Sequence, residues 1–369
     1  MSLKAVDFFC GIGGVTKGFL KAGIDVVAGI DIDANCKETY EANHLRLNGL
    51  DYSRFINEDI TKLDVNSIRE LLNPDDKLVI IGCAPCQPFT NITKNLEGRE
   101  KERGLLLVFA DIIKQLKPEY IFLENVQGLN APKNKPILDK FLDALKPEYN
   151  LKPKVVNASH YGVSQSRKRM ILFGKRNGSI DFPSATHGKA KGLKPIVTLS
   201  DVINDLPQIS AGEQHSDLKE HVCADLEAIS LERMEYQEHP GDGMEMWPRR
   251  LWLNSRRNGN YEGHRDVYAR LRWDKPSATL TTKFISISNG RFVHPEQNRG
   301  LSILEGLLIQ TFGKSFKMKS KSIGTKAKQI GNAVPVKLAQ AFAKQIIKTE
   351  NKLTEETTNE IIQPEFQFA

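Results

Sequence analysis

Three short polar segments adjoin predicted β-strands, and their residue types could act together on one substrate. The apolar run at 78–81 leads into the segment 82–90, GCAPCQPFT, which holds two thiols around a proline. A thiol at the carboxyl end of a strand is where an α/β enzyme places a nucleophile. Glu124 ends a second apolar run, and the segment 165–169, QSRKR, begins a third. A thiol, a carboxyl and two guanidiniums together suggest chemistry on a heterocycle.

The two thiols, Cys83 and Cys86, have other interpretations. A structural zinc site needs four ligands, usually two such pairs, and the cysteines at 10, 36 and 223 are not paired in the sequence. A redox pair would normally lie near the start of a thioredoxin-like βαβ unit, not after a later strand of a larger sheet. We therefore predict no metal site. The odd total of five cysteines also predicts no disulfide framework.

The carboxyl and guanidinium groups could tune the thiol. An unperturbed thiol with a pKa of about 8.5 is only a few per cent ionised at neutral pH, so a working nucleophile needs nearby positive charge. Arg167 and Arg169 could supply that charge. Glu124 could serve only as a salt-bridge partner of the same arginines. Alternatively, burial at the end of a strand would raise the pKa of Glu124 and let it donate a proton.

The first half of the chain alternates apolar runs with amphipathic segments, which is typical of a parallel sheet wrapped by helices. Strands are predicted at 5–10, 26–31, 78–82, 120–124, 155–158 and 170–174. Helical spacing of apolar residues predicts helices over 15–22, 105–116 and 336–347. The sequence therefore predicts an α/β fold, and the last helix returns to pack on the first domain.

The segment 7–14, DFFCGIGG, joins the first strand to the first helix. Its glycines can bring the backbone close to a ligand at the helix N-terminus, and Asp31 ends the next strand where a carboxylate could accept hydrogen bonds from ribose hydroxyls. A dinucleotide fingerprint would need a third glycine at Thr16, so a nucleoside without a pyrophosphate, such as S-adenosylmethionine, fits better. A tight turn without a ligand is the alternative.

The second half of the chain differs in composition. A boundary is predicted near Phe182, followed by a smaller, irregular domain with a β-like run at 277–288. The segment 249–275 carries eight Arg or Lys against three acids, and 314–328 carries six Lys and no acid. These stretches and the net charge of +7 suit a polyanionic partner, although they could be ordinary solubilising charge. The segment 349–369 is predicted to be a loosely attached polar tail.

No apolar stretch approaches the roughly 18 residues that a membrane helix needs. The first ten residues predict a strand rather than a secretion signal. We therefore expect a cytoplasmic protein with no membrane association.

Seven motifs occur in the order of one family. They are Phe9 to Gly14 (FCGIGG), Asp31, Asp59-Ile60, Pro85-Cys86-Gln87, Glu124-Asn125-Val126, 165–169, and 329–335, QIGNAVP. In these residues, over roughly 4 to 347, the chain resembles the DNA (cytosine-5)-methyltransferases of bacterial and phage restriction-modification type. The resemblance implies a doubly wound, mostly parallel Rossmann-like methyltransferase sheet with a second, smaller irregular target-recognition domain. It implies a catalytic domain at 1–182 completed by 323–348, a target-recognition domain at 183–322 and a tail at 349–369.

The resemblance also implies residues for two binding sites. S-adenosylmethionine would be held by Phe9, Gly11, Ile12, Gly14, Asp31, Ile32, Asp59, Ile60, Pro85, Leu106, Asn332, Ala333 and Val334. Double-stranded DNA would be contacted by Gln87, Thr90, Arg256, Arg257, Arg272 and Thr279. The protein is expected to be monomeric and to lie on the nucleoid through its DNA. A cognate restriction endonuclease is not inferable from the sequence.

The resemblance implies one reaction. The Cys86 thiolate would add to C6 of a cytosine flipped out of the duplex, because C5 is a poor nucleophile until the ring loses its aromaticity. Glu124 would stabilise the adduct through N3 and the exocyclic amine, and Arg169 with Arg167 would hold O2 and the developing charge. The polar segment 90–103 is expected to be a loop that closes over the base.

A few departures and alternatives accompany this resemblance. Leu304 precedes Glu305 where many relatives have Arg, and Gly313 stands where Pro is common, which affects local packing or a phosphate contact. Transfer RNA is an alternative substrate, but the Cys-Phe-Thr signature of that branch is absent. A non-catalytic DNA-binding relative would be expected to lack the thiol or the carboxyl. A nucleotide-dependent oxidoreductase is the third alternative.

Overall fold

One mixed sheet organises the chain. The computed structural model describes residues 2–84, 96–254 and 266–362, with the backbone alone at 96–103 and 356–362. Within these residues seven strands pair in the order β3-β2-β1-β4-β5-β7-β6. They are β1 (Leu3–Phe8), β2 (Asp25–Asp31), β3 (Arg54–Asn57), β4 (Lys77–Gly82), β5 (Tyr120–Val126), β6 (Tyr149–Asn157) and β7 (Lys168–Arg176).

The strand pairing confirms the predicted α/β class and the mostly parallel sheet. β3, β2, β1, β4 and β5 are parallel, whereas β7 runs antiparallel to both of its neighbours. The order reverses between β1 and β4, and ligands of such sheets bind beside this point, at the carboxyl ends of the strands. β7 is antiparallel and therefore begins at the same edge, which brings the segment 165–169 to the site.

Two strands differ from the sequence-based prediction. β3 was not predicted, because its four residues, RFIN, form an edge strand with only one fully buried side chain and no long apolar run. β6 is much longer than the predicted 155–158. It lies at the other edge with most of its residues exposed, so hydrogen bonds to β7 rather than apolar content define its length.

Some of the α-helices cover the two faces of the sheet, and others lie in the region 183–322. They are α1 (Gly14–Ala22), α2 (Lys37–Glu41), α3 (Asn66–Arg69), α4 (Leu96–Leu116), α5 (Lys135–Leu145), α6 (Ser200–Ile203), α7 (Ala228–Glu235), α8 (Ile303–Ile309), α9 (Ile323–Asn332) and α10 (Val336–Ile362). The start of α4 makes the predicted loop at 90–103 wrong from Leu96 onward. Among the described residues, no helix is both long and apolar enough to cross a membrane.

α10 closes one face of the sheet. Its apolar residues, among them Leu338, Phe342 and Ile346, are fully buried in one core cluster with α1 and strands β1, β4, β5 and β7. The last predicted helix thus packs on the sheet built by the first half of the chain. The helix continues past residue 348, and Glu350 pairs with Lys77 and accepts a hydrogen bond from the Tyr120 hydroxyl. Loose attachment is therefore wrong for this part of the tail.

The region 183–322 is built differently. Its described residues include α6, α7, α8 and single-turn helices, and the predicted β-like run at 277–288 makes one isolated bridge, between Gln165 and Ser277. A strand is not formed there because hydrogen bonds to 164–166 hold only its first residues. Leu304 is buried, and Gly313 has a φ of 94°, a value that proline cannot adopt.

Candidate active site

The loop after β1 is held to the end of β2. Phe9 and Gly11 have left-handed backbone conformations, with φ of 58° and 52°. The N–H groups of Gly11 and Asp33 each donate to a different carboxylate oxygen of Asp31, both at 2.8 Å. Burial raises the pKa of Asp31, and these two N–H groups oppose the rise. The carboxylate is thereby fixed at the sheet edge and retains free lone pairs for a ligand.

An exposed apolar side chain lies beside this carboxylate. Ile32 is 68% exposed, which is unusual for isoleucine. The Asn57 amide, at the end of β3, donates to the carbonyls of Asp31 and Ile32 at 2.9 and 3.1 Å. The pair thus offers a ligand one acceptor group and one apolar surface, which suits a ribose and an attached flat ring.

The C-terminal segment meets the loops after β1 and β2. A Cβ built on Gly14 would lie 2.3 Å from the Val334 carbonyl oxygen, so only glycine allows this approach. The Gln329 amide donates to the Asn35 carbonyl at 3.0 Å, and Lys328 lies 3.8 Å from Asp33. Residues about 300 positions apart in the chain therefore form one wall of the candidate cofactor site.

The predicted cofactor residues fall into two groups. One group is at least partly exposed to solvent: Phe9, Gly11, Asp31, Ile32, Asp59, Asn332 and Ala333. Buried in the surrounding cores are Ile12, Gly14, Ile60, Leu106 and Val334. The Asp59 carboxylate accepts bonds from the N–H and hydroxyl of Thr61, at 3.0 and 2.9 Å. Pro85 lies outside the described residues.

A carboxylate and a guanidinium pair at the same edge. Arg169 Nε lies 2.8 Å from Glu124 Oε1, and both side chains are largely buried. The register that sets Val126 opposite Arg169 brings these two side chains together across β5 and β7. The Asn125 amide donates to the Ala84 carbonyl at 3.2 Å, which ties β5 to the chain that leaves β4. Acid and cation are thus positioned by rigid strands.

The first thiol of the pair at 83–86 is poorly suited to ionise. Burial first, and then the charge of Glu124, raise the pKa of Cys83 well above that of a free thiol. Ala84 is the last residue described before Cys86. Cys86, Gln87 and Thr90 lie outside the described residues, as do Arg256 and Arg257. The predicted nucleophile and four of the predicted DNA contacts therefore stay predictions.

The other predicted residues occupy different surroundings. Arg167 is only 3% exposed and donates to the carbonyls of Leu280 and Gly331, both at 3.2 Å. The Thr279 hydroxyl donates to the Ser166 carbonyl at 2.8 Å. Arg272 is exposed and pairs with Asp274 at 3.0 Å. Arg169 therefore pairs with the Glu124 carboxylate, whereas Arg167 connects the backbone at Leu280 to the backbone at Gly331.

Two polar residues of this region were missed. Gln310 is fully buried and donates to the carbonyls of Ile330 and Ala333 at 2.8 and 3.1 Å. Asn57 holds the end of β2, as described above. The position of Gln310 at the end of an apolar helical run was a signal by which the sequence could have indicated it. No such signal existed for Asn57, because the strand that it ends was not predicted.

A separate cavity of about 380 Å³ lies elsewhere, at the opposite ends of β4, β5 and β7. Arg69, Lys77, Lys117, Glu119 and Arg176 are among the residues that line it. Asp31 and Glu124 lie at or near the carboxyl ends of their strands, so this cavity is separate from the candidate active site.

Comparisons with known proteins agree with this geometry. A Type II methylase of Herpetosiphon aurantiacus, M.HgiDII, is 34% identical over 92% of this chain and 94% of its own length. The Type II methyltransferase M1.HphI of Haemophilus parahaemolyticus is 30% identical over 94% and 87%. A solved putative DNA modification methyltransferase from an E. coli prophage shares the fold, with a TM-score of 0.73 at 22% identity, over 95% of this chain and 100% of that one. The model of the C-5 cytosine-specific DNA methylases matches residues 3–348, so the chain belongs to that family.

Proposed function

We propose that this protein transfers a methyl group from S-adenosylmethionine to C5 of cytosine in double-stranded DNA. The observation that carries the proposal is the Glu124–Arg169 pair at 2.8 Å, held at the sheet edge that also presents Asp31 and Ile32. An acid and a cation side by side match the ring nitrogen, amine and carbonyl of a cytosine. Membership of the family supplies the reaction class.

The residues around Asp31 fit the proposed cofactor. Its carboxylate can accept ribose hydroxyls, and the exposed Ile32 side chain can pack on an adenine ring. When bound, S-adenosylmethionine supplies an electrophilic methyl group on its sulfonium. The glycine loop and the segment at 332–334 would enclose the remainder of the molecule.

Cys86 is proposed as the nucleophile. Its thiolate adds to C6, and the electron pair of the C5–C6 double bond becomes available at C5 for the incoming methyl group. C5 then loses its proton, the double bond re-forms, and the Cys86 thiolate leaves. Cys83 does not share this role, because burial and Glu124 disfavour its thiolate.

Glu124 and Arg169 are proposed to hold the cytosine during this addition. Glu124 contacts N3 and the exocyclic amine, and Arg169 contacts O2, where negative charge develops. The strand register keeps both groups in place before the base arrives, so little reorganisation accompanies the reaction. The base must leave the helix to reach them, and this flipping costs a few kcal/mol.

Sequencing that reads 5-methylcytosine tests the reaction. DNA from cells that express the protein should carry methylated cytosines in one sequence context, and cells without it should not. Cys86→Ala should abolish the signal, whereas Cys83→Ala, in the same segment, should retain it. Methylation of transfer RNA alone, or an undiminished signal from Cys86→Ala, would contradict the proposal.

A second experiment tests the carboxylate. Glu124→Ala should lose methyl transfer while keeping affinity for S-adenosylhomocysteine, because the cofactor residues lie on other strands. Glu119→Gln is the matched control, since Glu119 precedes the same strand at its opposite end and pairs with Lys175. If the Glu124 variant lost both methyl transfer and affinity for S-adenosylhomocysteine, a structural role would be indicated instead.

We further propose that the protein is a monomeric modification enzyme of the cytoplasm that resides on the nucleoid. The Type II names of its relatives support the modification role. Resistance of the methylated DNA to an endonuclease of the same sequence specificity would test that role, and size-exclusion chromatography would test the monomer.

A further inference from the structure

Gln165 and Arg167, just before β7, bind both backbone polar groups of one residue, Leu280, in the chain that leaves the recognition region. Gln165 Oε1 accepts the Leu280 N–H at 3.2 Å, and Arg167 Nη1 donates to the Leu280 carbonyl at 3.2 Å. Both side chains are buried, Gln165 fully and Arg167 to all but 3%. Hydrogen bonds in such surroundings are stronger than those at the surface.

The same two residues also reach the segment that follows α9. Arg167 Nη1 donates to the Gly331 carbonyl at 3.2 Å, and the Gln165 amide donates to Gln310 Oε1 at 3.1 Å. Gln310 in turn donates to the carbonyls of Ile330 and Ala333. Two hydrogen-bonded routes therefore run from Leu280 to residues 330–333.

The two segments also touch directly. A Cβ built on Gly331 would lie 2.2 Å from the Thr281 carbonyl oxygen, so the backbones are in close contact and cannot shift independently. We call Gln165, Arg167, Leu280, Gln310 and Gly331 the junction.

Two chain segments, the arms, leave the junction: one runs on from Gly331 and the other runs back from Leu280. Each arm leads to a different part of the site. From Gly331 the chain runs to Val334, whose carbonyl lies on Gly14 of the proposed cofactor loop. From Leu280 it runs back to Thr279, a predicted DNA contact. Arg167 itself precedes by two residues the Arg169 that pairs with Glu124.

We infer that Arg167 is a positioning residue that couples cofactor binding to DNA binding. This inference rests on the proposed function. Ligand binding at one arm shifts a backbone that the junction connects to the other arm. Such coupling is reciprocal, so the cofactor tightens DNA binding by the same factor by which DNA tightens cofactor binding.

The test measures that factor. Fluorescence anisotropy gives the affinity for a duplex carrying the methylated sequence, with and without saturating S-adenosylhomocysteine. Coupling between sites typically corresponds to roughly 5- to 150-fold, and we expect a factor in this range for the unmodified protein. Arg167→Lys keeps the charge but cannot reach both carbonyls, and Gln310→Leu removes the second route. Each should lower the factor, and the variant with both substitutions should bring it close to unity.

Arg233→Lys is the matched control. Arg233 is a buried arginine of the recognition region that donates to the Leu251 carbonyl at 3.0 Å, and its loss should lower stability without changing the coupling factor. Equal loss of coupling in all three variants, or full coupling in both junction variants, would overturn the inference. A factor near unity in the unmodified protein would overturn it too. Failure of the unmodified protein to bind S-adenosylhomocysteine would instead overturn the proposed function.

Hydrogen exchange on the unmodified protein gives a test that needs no variant. S-adenosylhomocysteine should slow exchange at the amides of 277–282, and DNA should slow it at 330–334. Protection by each ligand confined to its own arm would contradict the coupling.

Discussion

The seven-stranded sheet and the region 183–322 satisfy their backbone carbonyls in different ways. In the sheet, ladders between neighbouring strands bind the carbonyls of the central strands, and apolar side chains fill both faces. In the region 183–322, buried arginines take over part of this role. Arg270 donates to the carbonyls of Met234, Gln237, His294 and Gln297 and to the side chain of Asn298.

The difference predicts how each region responds to substitution. A sheet loses one side chain's packing at a time, whereas an arginine that serves several carbonyls leaves all of them unpaired when it is removed. Irregular backbone can thus be rigid, but its stability is concentrated in a few charged residues.

Arg270→Met should show the largest effect. It leaves several buried carbonyls without donors, each worth about 1–3 kcal/mol, so the free energy of unfolding should fall by more than about 4 kcal/mol. Urea unfolding of this variant beside Ile121→Val, expected to cost about 0.5–1.5 kcal/mol in the sheet core, makes the comparison. If Arg270→Met lowered the free energy of unfolding by less than Ile121→Val does, this contrast between the two regions would be wrong.

Arg299→Met should follow. Arg299 and Glu305 are both buried and form two hydrogen bonds, at 2.7 and 2.9 Å, so removing one charge should cost about 3–5 kcal/mol. Adding Glu305→Gln should recover part of this loss, because the buried charge is then gone. If the double variant were as unstable as the sum of the single variants, the pair would not be the cause.

The same pair predicts a pH dependence. Burial alone would raise the pKa of Glu305, but the Arg299 guanidinium lowers it to about 2. The stabilisation by this carboxylate is therefore present above its unfolded pKa and is lost as the pH falls towards 2.

Asp7 in the sheet should show the opposite pH dependence. Its buried carboxylate accepts two bonds from Thr16, yet burial raises its pKa from 3.8 to about 7. The folded state therefore binds more protons between these values, and stability falls as the pH rises through them. Relative to Asp7→Asn, the free energy of unfolding should fall by up to about 1.4 kcal/mol per pH unit in this window. Parallel pH profiles for the two proteins would contradict the assignment.

Arg272→Ala should have the smallest effect on stability, within about 0.5 kcal/mol, because its pair with Asp274 is exposed. If Arg272 contacts a phosphate, the variant should weaken DNA binding and lower the slope of log affinity against log salt by about 1. An unchanged slope would remove Arg272 from the DNA contacts.

Sequence patterns predicted the central part of the sheet well, because the apolar patterns that define its strands and helices lie within short stretches of the chain. Buried central strands such as β4 are continuous apolar runs, and helices such as α1 show apolar residues at helical spacing. The edge strands β3 and β6 were missed or shortened, since pairing with a neighbour defines them and that neighbour is not visible in the sequence.

The candidate site was predicted in its parts rather than its connections. Strand ends brought Glu124, Asp31 and the segment 165–169 to one edge, as expected for parallel strands. The sequence did not separate Arg167 from Arg169, because their different surroundings depend on Leu280 and Gly331, more than 100 residues away. Long-range contacts of this kind leave no local pattern.

The return of α10 to the sheet has a consequence for the newly made chain. A ribosome completes the strands first, then the region 183–322, and makes α10 after both. Until then the face of the sheet that Leu338, Phe342 and Ile346 cover stays open, and the wall formed by Val334 on Gly14 does not exist. A chain that stops before Val334 therefore lacks one wall of the proposed cofactor site. The site proposed for the cofactor is thus completed only after the region 183–322 has been made.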